Sequence, residues 1–242
     1  MFVAASRNWR EGSMDWSWLP KYLPMLPEAI FVTLQLVVFT MIFGLLLAIP
    51  LALVQVTGPK WLATLARGYC TFMRGTPLLI QLYLFYYGLG SVFSSYPELR
   101  QSFFWPILRE GYYYAIVAFA LNEAGYLGEV LRGAFLSVPK GELEAARAYG
   151  MSPFKVLRRV WLPRALRNAL PTLGGETILT LKATPLAALV TVTDVFSVAD
   201  KVRQETYIIY PPLIMVMVVY MVLTFIITRI FAYFEKQIPV RR

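Results

Sequence analysis

Glu123, Glu176 and Lys182 each interrupt an apolar run long enough to cross a bilayer. An ionisable side chain at the bilayer centre costs a few kcal/mol or more and is retained where it faces protein or a water-filled path. Glu123 lies about 11 residues, or about 16 Å, into its run, near the midplane of a core about 30 Å thick. Carboxylates at that depth attract a cation, and Asn122 beside Glu123 adds amide donors and an acceptor. We therefore expect Glu123 and Glu176 to face a translocation path, with Asn122 or Thr184 hydrogen-bonding the polar remainder of a cargo. The competing reading is that Glu123 or Glu176 pairs with Lys182 or with a base on a partner chain and locks helices together. Glu129 fits that structural role better, because Arg132 follows one helical turn later. Lys182 stays open between the two roles. Arg74 reads as a snorkelling anchor or a charge of the path.

Other chemistries are excluded by what is missing. The chain has no histidine, so a histidine-dependent triad, a histidine metal site and a histidine proton relay are impossible. Its single cysteine, Cys70, excludes an internal disulfide and argues against a thiolate metal cluster. No metal site is expected. No G-x-x-x-x-G-K-[ST] phosphate loop occurs, so the chain is not expected to hydrolyse nucleotide by that route.

The elements that position these residues are apolar. With 242 residues, 58% hydrophobic, 15% charged and a mean hydropathy of +0.57, the composition is that of an all-α integral membrane protein. Five spans are expected: about Ile30 to Val56, Gly75 to Gly90, Tyr112 to Arg132, Leu170 to Val192 and Tyr207 to Phe234. The first carries no charge over more than the roughly 20 residues a bilayer requires. Residues 1–27 read as an outer-side segment without the layout of a cleavable signal peptide, Met14 being an equally good start, and Trp16 and Trp18 read as headgroup anchors. Residues 28–236 form the transmembrane domain and 237–242 a short basic tail. Trp61 to Phe72 reads as an interfacial approach, Ser91 to Gly111 as a surface loop with a short helix near Phe103 to Leu108, and Asp194 to Thr206 as an external gate or a solvated surface helix. The net charge of +9 punctuates apolar spans, which points to lipid headgroups and membrane orientation rather than nucleic acid.

One stretch breaks the membrane pattern, PKGELEAARAYGMSPFKVLRRVWLP from Pro139 to Pro163. Glu142 to Tyr149 are mostly good helix formers, Gly150 suits a left-handed stop, and Ser152 with Pro153 supplies an N-cap and a proline at the first helical position. A second helix is predicted to run to Leu162, with a break at Pro163. From Arg132 to Arg167 this loop carries eight Lys or Arg against Glu142 and Glu144. That excess puts it in the cytoplasm, the N-terminus outside and the C-terminus inside.

Glu144, Ala145 and Ala146, then Gly150, then Leu162 and Pro163, resemble in type and spacing the EAA loop of ABC importer membrane subunits. RGTPLLIQLYLFYYGLG, EVLRGAFLSVPKGELEAARAYGMS, LPRALRNALP and ETILTLKAT extend the resemblance from about Ile30 to Glu235, toward the M-type permease subunits of histidine, arginine and opine importers in the polar amino-acid family. The resemblance implies a type I ABC importer permease architecture with a cytoplasmic coupling-helix loop at 137–168, in which Gly141, Glu142, Glu144, Ala145, Ala146 and Gly150 dock on an ATPase. It also implies the partners: a homologous permease subunit, often non-identical, two ATPase subunits that bind ATP and Mg, and a soluble substrate-binding protein. This chain would itself hold no cofactor and do no catalysis, and would sit multi-pass in a bacterial inner membrane. Glutamate at the Glu176 position resembles the basic amino-acid and opine group. Three positions depart from the family's pattern: Glu123 stands where relatives usually have a small or hydroxyl residue, Gly175 where many have asparagine, and Thr184-Pro185 replaces a common Thr-Ser. Alternatives are an ion-gradient-driven carrier or channel, which has no use for a docking loop of this pattern, a membrane-embedded enzyme, or a permease for a neutral or acidic amino acid.

Overall fold

The computed structural model describes residues 15–237, and the expectations for 1–14 and for the tail from 238 onward lie outside them. All regular elements in that range are helical. The chain enters through α1 (Leu19–Tyr22) and a 3₁₀ turn (Leu23–Met25) into α2 (Leu26–Thr57), and each of these three elements has a proline within its first two residues. A proline there costs nothing, because those N–H groups have no partner inside the helix. The 32 residues of α2 reach about 48 Å at 1.5 Å each. Its buried stripe of Ala29, Thr33, Leu36, Val37, Thr40, Gly44, Ala48 and Ala52 is dominated by small side chains that admit a close neighbour.

That neighbour is α8, the centre of the fold. Between them come α3 (Lys60–Gly75), α4 (Leu78–Tyr83), a π-helical turn (Leu84–Leu89), α5 (Gly90–Ser94), α6 (Pro97–Arg100) and α7 (Trp105–Leu108). The segment from Lys60 to Gly75 is a helix that buries Ala63, Ala66 and Cys70, with Cys70 against Gly125 and Gly128 of α8, and leaves Trp61, Leu65 and Phe72 exposed. It turns by 99° into the next helix at Thr76 and Pro77. Pro77 excludes the helical conformation for the residue before it, and Thr76 is accordingly extended at φ −110°, ψ 140°. The short helix α7 falls inside the expected Phe103 to Leu108.

α8 (Gly111–Leu136) buries 16 of its 26 residues. It contacts α2 more extensively than any other helix pair in the fold. After it come α9 (Lys140–Ala148), α10 (Pro153–Val156), a π-helical turn (Leu157–Trp161), α11 (Leu162–Ala183), a 3₁₀ arm (Thr184–Val190), α12 (Val195–Thr206) and α13 (Tyr210–Gln237). By length and apolarity the runs Leu19–Thr57 and Tyr210–Gln237 each suffice to cross a membrane. Lys60–Gly75 with Leu78–Ser94, and Pro153–Val190 with Val195–Thr206, do so as bent pairs. α8 falls outside that test; of its charged residues Glu123 is buried and Glu129 and Arg132 are partly exposed.

Three local expectations are corrected. Pro163 ends no helix: it lies in the first turn of α11, directly after the π turn, and the helical path continues through it. The wider π turn absorbs the hydrogen bond that a proline cannot donate. Ser152 is the N-cap residue of α10, but its side chain makes no capping bond. Trp18 is no headgroup anchor: only 3% exposed, it packs with Tyr22, Leu26 and Ala29 against Val195, Val198, Ala199 and Val202 of α12. The same packing means that α12 is half buried rather than a solvated surface helix. Lys21 Nζ and Tyr22 Oη donate to Glu205 at 2.7 and 2.5 Å, fastening α1 across it.

Candidate functional site

α2, α8 and α11 line a half-open cavity of about 270 Å³, with Leu78 of α4 on its wall. Its lining combines Thr40, Asn122, Glu123, Tyr126, Glu176 and Thr180 with Leu78, Phe119, Leu179 and Ala183. The two glutamates named from the sequence therefore share one chamber, reaching it from different helices. Neither makes an ion pair among the described residues, and no base lines the chamber. Lys182 is exposed and lies outside the lining, so the structure offers no internal lock between it and either acid.

Glu123 is 7% exposed, and its Oε2 accepts from the Thr180 hydroxyl at 3.2 Å. Its stem lies against Gly44 of α2, where an added Cβ would stand 3.1 Å from Glu123 Cγ and 3.2 Å from Glu123 Cβ. Gly44→Ala is therefore expected to displace the carboxylate, costing about 1 kcal/mol of stability. Its check is thermal melting of the purified protein.

Asn122 and Thr184 behave differently from the sequence expectation. Both amide N–H groups of Asn122 are committed, to the Met73 carbonyl at 2.9 Å and Gln81 Oε1 at 3.1 Å, so Asn122 offers the chamber an oxygen and no donor. Thr184 is fully buried away from the chamber. Its hydroxyl donates to the Leu181 carbonyl at 2.8 Å and lies 2.8 Å from Tyr220 Oη, which in turn reaches Asp194 Oδ2 at 3.3 Å. Asp194 also caps α12 through Ser197 N at 2.9 Å. Thr184 thus helps tie the 3₁₀ arm to α12 and α13. Sequence reasoning missed Thr40 and Thr180, the hydroxyls that do line the chamber. The spacing from Thr180 to Glu176, one turn on the same helix, was the available signal.

At the other end of α8 the loop of residues 137–168 is built as a peg. Gly150 adopts φ +76°. Gly150 N bonds Arg147 O at 2.9 Å and Met151 N bonds Ala146 O at 3.2 Å, the paired bonds of a Schellman stop. Ala146 is buried toward the body of the protein, and Glu142 is half buried with Oε1 3.2 Å from Arg164 Nη2 of α11. Gly141, Glu144, Ala145 and Gly150 are exposed, and Tyr149 and Phe154 extend the exposed face. The six residues named from the sequence thus divide: Glu142 and Ala146 attach the peg, and the other four are presented outward. Trp161 Nε1 donates to the Phe135 carbonyl at 2.9 Å, holding the π turn against the end of α8. The expected Glu129–Arg132 pair forms at 3.0 Å, and the exposed Arg74 bonds back to the Cys70 carbonyl at 3.2 Å.

Known proteins resemble this chain in sequence and fold. Over 210 residues the chain is 43% identical to the octopine transport system permease protein OccM of Rhizobium radiobacter, covering 86% of this chain and 84% of that one. It is 36% identical over 207 residues to the histidine/lysine/arginine/ornithine transport system permease protein HisM of Escherichia coli K12, covering 85% of each. A chain from the crystal structure of an amino acid ABC transporter with histidines matches with a TM-score of 0.75 and 29% identity, over 93% of this chain and 99% of that one. Residues 41–239 match the family described as the binding-protein-dependent transport system inner membrane component, and the chain belongs to that family.

Proposed function

We propose that this chain is the permease subunit of an ATP-driven importer for basic amino acids or opines, and that the chamber between α2, α8 and α11 receives the cargo's cationic group. The observation that carries this reading is the pairing of Glu123 and Glu176 in one half-open cavity lined by no base. Relatives whose names specify octopine, or histidine, lysine, arginine and ornithine, support the substrate class. The exposed peg at Gly141 to Gly150 supports a separate ATPase as the motor, with ATP and Mg held there.

The basic loop from Arg132 to Arg167 supports a cytoplasmic position for the peg, with the N-terminus outside, in a bacterial inner membrane. A second permease subunit, a pair of ATPases and an external binding protein complete the machine. The transport cycle is alternating access: closure of the ATPase pair moves the peg, the peg carries α11 through the π turn and the Glu142–Arg164 bridge, and the chamber opens outward. Hydrolysis reverses the motion.

The test is uptake into proteoliposomes holding the assembled importer and its binding protein. A hydrogen bond to a charged group contributes about 1.5–3 kcal/mol, so Glu176→Gln is expected to cut uptake of a cationic amino acid by about tenfold or more. Uptake of a neutral amino acid should change little. Equal loss of both refutes charge recognition. Uptake driven by an ion gradient without ATP overturns the assignment of the motor.

A further inference from the structure

Two polar atoms of the chamber are buried with nothing to bond. Glu123 Oε1 and Thr40 Oγ1 have no hydrogen-bond partner among the described residues, on side chains of residues that are 7% and 1% exposed and both line the chamber. An unsatisfied buried polar group costs about 1–3 kcal/mol, more when charged, unless a ligand completes it. Glu176, half buried on α11, likewise has no side-chain hydrogen bond or ion pair among the described residues. The free acceptors of the chamber thus come from three helices: one carboxylate oxygen of Glu123, both of Glu176, the side-chain oxygen of Asn122 and the hydroxyl oxygen of Thr40; its free donors are only the hydroxyls of Thr40 and Tyr126.

We infer that Glu123 and Glu176 together grip a guanidinium, so that the preferred cargo is arginine or an arginine-derived compound rather than an alkyl ammonium such as lysine. This rests on the chamber being the cargo site. A guanidinium fans five N–H donors over three nitrogens in one plane, and can serve carboxylates on separate walls while leaving a donor for a hydroxyl. An ammonium directs three donors from a single nitrogen and is the more strongly hydrated ion, so it loses more on entering a partly desolvated, half-open cavity and reaches fewer of these acceptors. Phe119 and Tyr126 in the lining offer aromatic surface on which a planar cation stacks. Because no base and no free amide donor faces the chamber, a cargo's carboxylate finds only the hydroxyls of Thr40 and Tyr126 there, too little to hold it against the two glutamates. The chamber takes the side-chain end and leaves the carboxylate outside. This also fits a volume of about 270 Å³, below the roughly 300–1,000 Å³ of sites that enclose a drug-sized ligand.

The experiment is equilibrium binding of L-arginine, octopine, L-lysine and L-citrulline to the assembled importer in nanodiscs, for the native chain and for Glu123→Gln, Glu176→Gln and Thr40→Val. Thermal melting of each variant identifies any that misfolds. The native protein is expected to bind at least one guanidinium probe about tenfold or more tighter than lysine, and citrulline, the uncharged isostere of arginine, hardly at all. Glu123→Gln should weaken arginine more than lysine and pull their ratio toward one, and Thr40→Val should do the same to a smaller degree. Glu176→Gln should weaken both. If lysine binds the native protein as tightly as the guanidinium probes, or if Glu123→Gln weakens arginine and lysine by one common factor, the guanidinium inference fails while the cationic cargo site stands. Unchanged binding of every probe in both glutamine variants removes the cargo site itself. Should Glu123→Gln misfold, Thr40→Val decides, and an unaltered arginine-to-lysine ratio there overturns the inference.

Discussion

Replacing Gly150 by valine is expected to leave the protein inserted and assembled but to cut ATP-driven uptake by at least about tenfold, the loss following from misdirection of the peg. Gly150 sits at φ +76°. An L residue there costs about 1–2 kcal/mol, and a β-branched one is a genuine outlier. An added Cβ would meet nothing within 4 Å, so the penalty is conformational and cannot be relieved by repacking neighbours. The backbone must leave the left-handed region, the bonds from Gly150 N to Arg147 O and from Met151 N to Ala146 O break, and α9 no longer ends where α10 begins. Asparagine tolerates that region, so Gly150→Asn should retain most of the uptake. Uptake in proteoliposomes, with capture of the ATPase measured in parallel, checks both variants. Full uptake by the valine variant would mean that the fixed end of the peg is dispensable.

The second large effect lies at the opposite end of α8. Gly111→Ala is expected to destabilise the fold by about 3 kcal/mol or more, and to show as a lowered melting temperature and a poor yield of assembled protein. A Cβ on Gly111 would stand 1.8 Å from the Val190 carbonyl oxygen and 3.0 Å from Thr191 Oγ1. The clashing atom belongs to the backbone, so no side-chain rotation relieves it. Either the start of α8 or the end of the 3₁₀ arm must move, and the polar link from Thr184 through Tyr220 to Asp194 is anchored on that arm. Gly68→Ala is the matched control: nothing lies within 4 Å of its added Cβ, and alanine in place of glycine inside a helix gains about 1 kcal/mol. Equal melting temperatures for the two variants would show that the contact between Gly111 and Val190 is not part of the working structure.

These two glycines mark the limits of reading from sequence. Gly150 was legible because its reason is local: helix formers before it, serine and proline after it, and a stop that only a left-handed residue makes. The Glu129–Arg132 pair and the short helix near Trp105 were legible on the same footing, through spacings of one turn or a cluster of turn residues. Gly111 looked like the end of a loop, since what makes it necessary is a carbonyl 79 positions later in the chain. Trp18 was read as a headgroup anchor because a tryptophan near an apolar run usually is one. Its actual surroundings come from α12, nearly 180 residues away.

The chamber shows the same division. Intramembrane cost pointed to Glu123 and Glu176 without any coordinates, because a charge in an apolar run needs a reason. The hydroxyls around them were misassigned. Thr180 and Thr184 are one turn apart on one helical face, and periodicity alone ranks them equally. The difference arises where the α-helix tightens into the 3₁₀ arm at Thr184 and Tyr220 of α13 takes the hydroxyl there. Asn122 likewise has the right chemistry and the right neighbour, but α3 and α4 use its donors first.

Composition, charge asymmetry and the spacing of the loop by themselves determined a helical membrane protein, the acids that interrupt its apolar runs and a peg ending at Gly150. Each of these follows from a residue's own solvation cost or from bonds spanning a few positions. Only the tertiary structure decided which face each helix turns inward, that two glutamates from different helices share one chamber, and which hydroxyls and amides remain free to meet a cargo. Those outcomes depend on distances between segments far apart in the chain, set by where small residues such as Gly44 and Gly111 let backbones approach, and no local pattern encodes them.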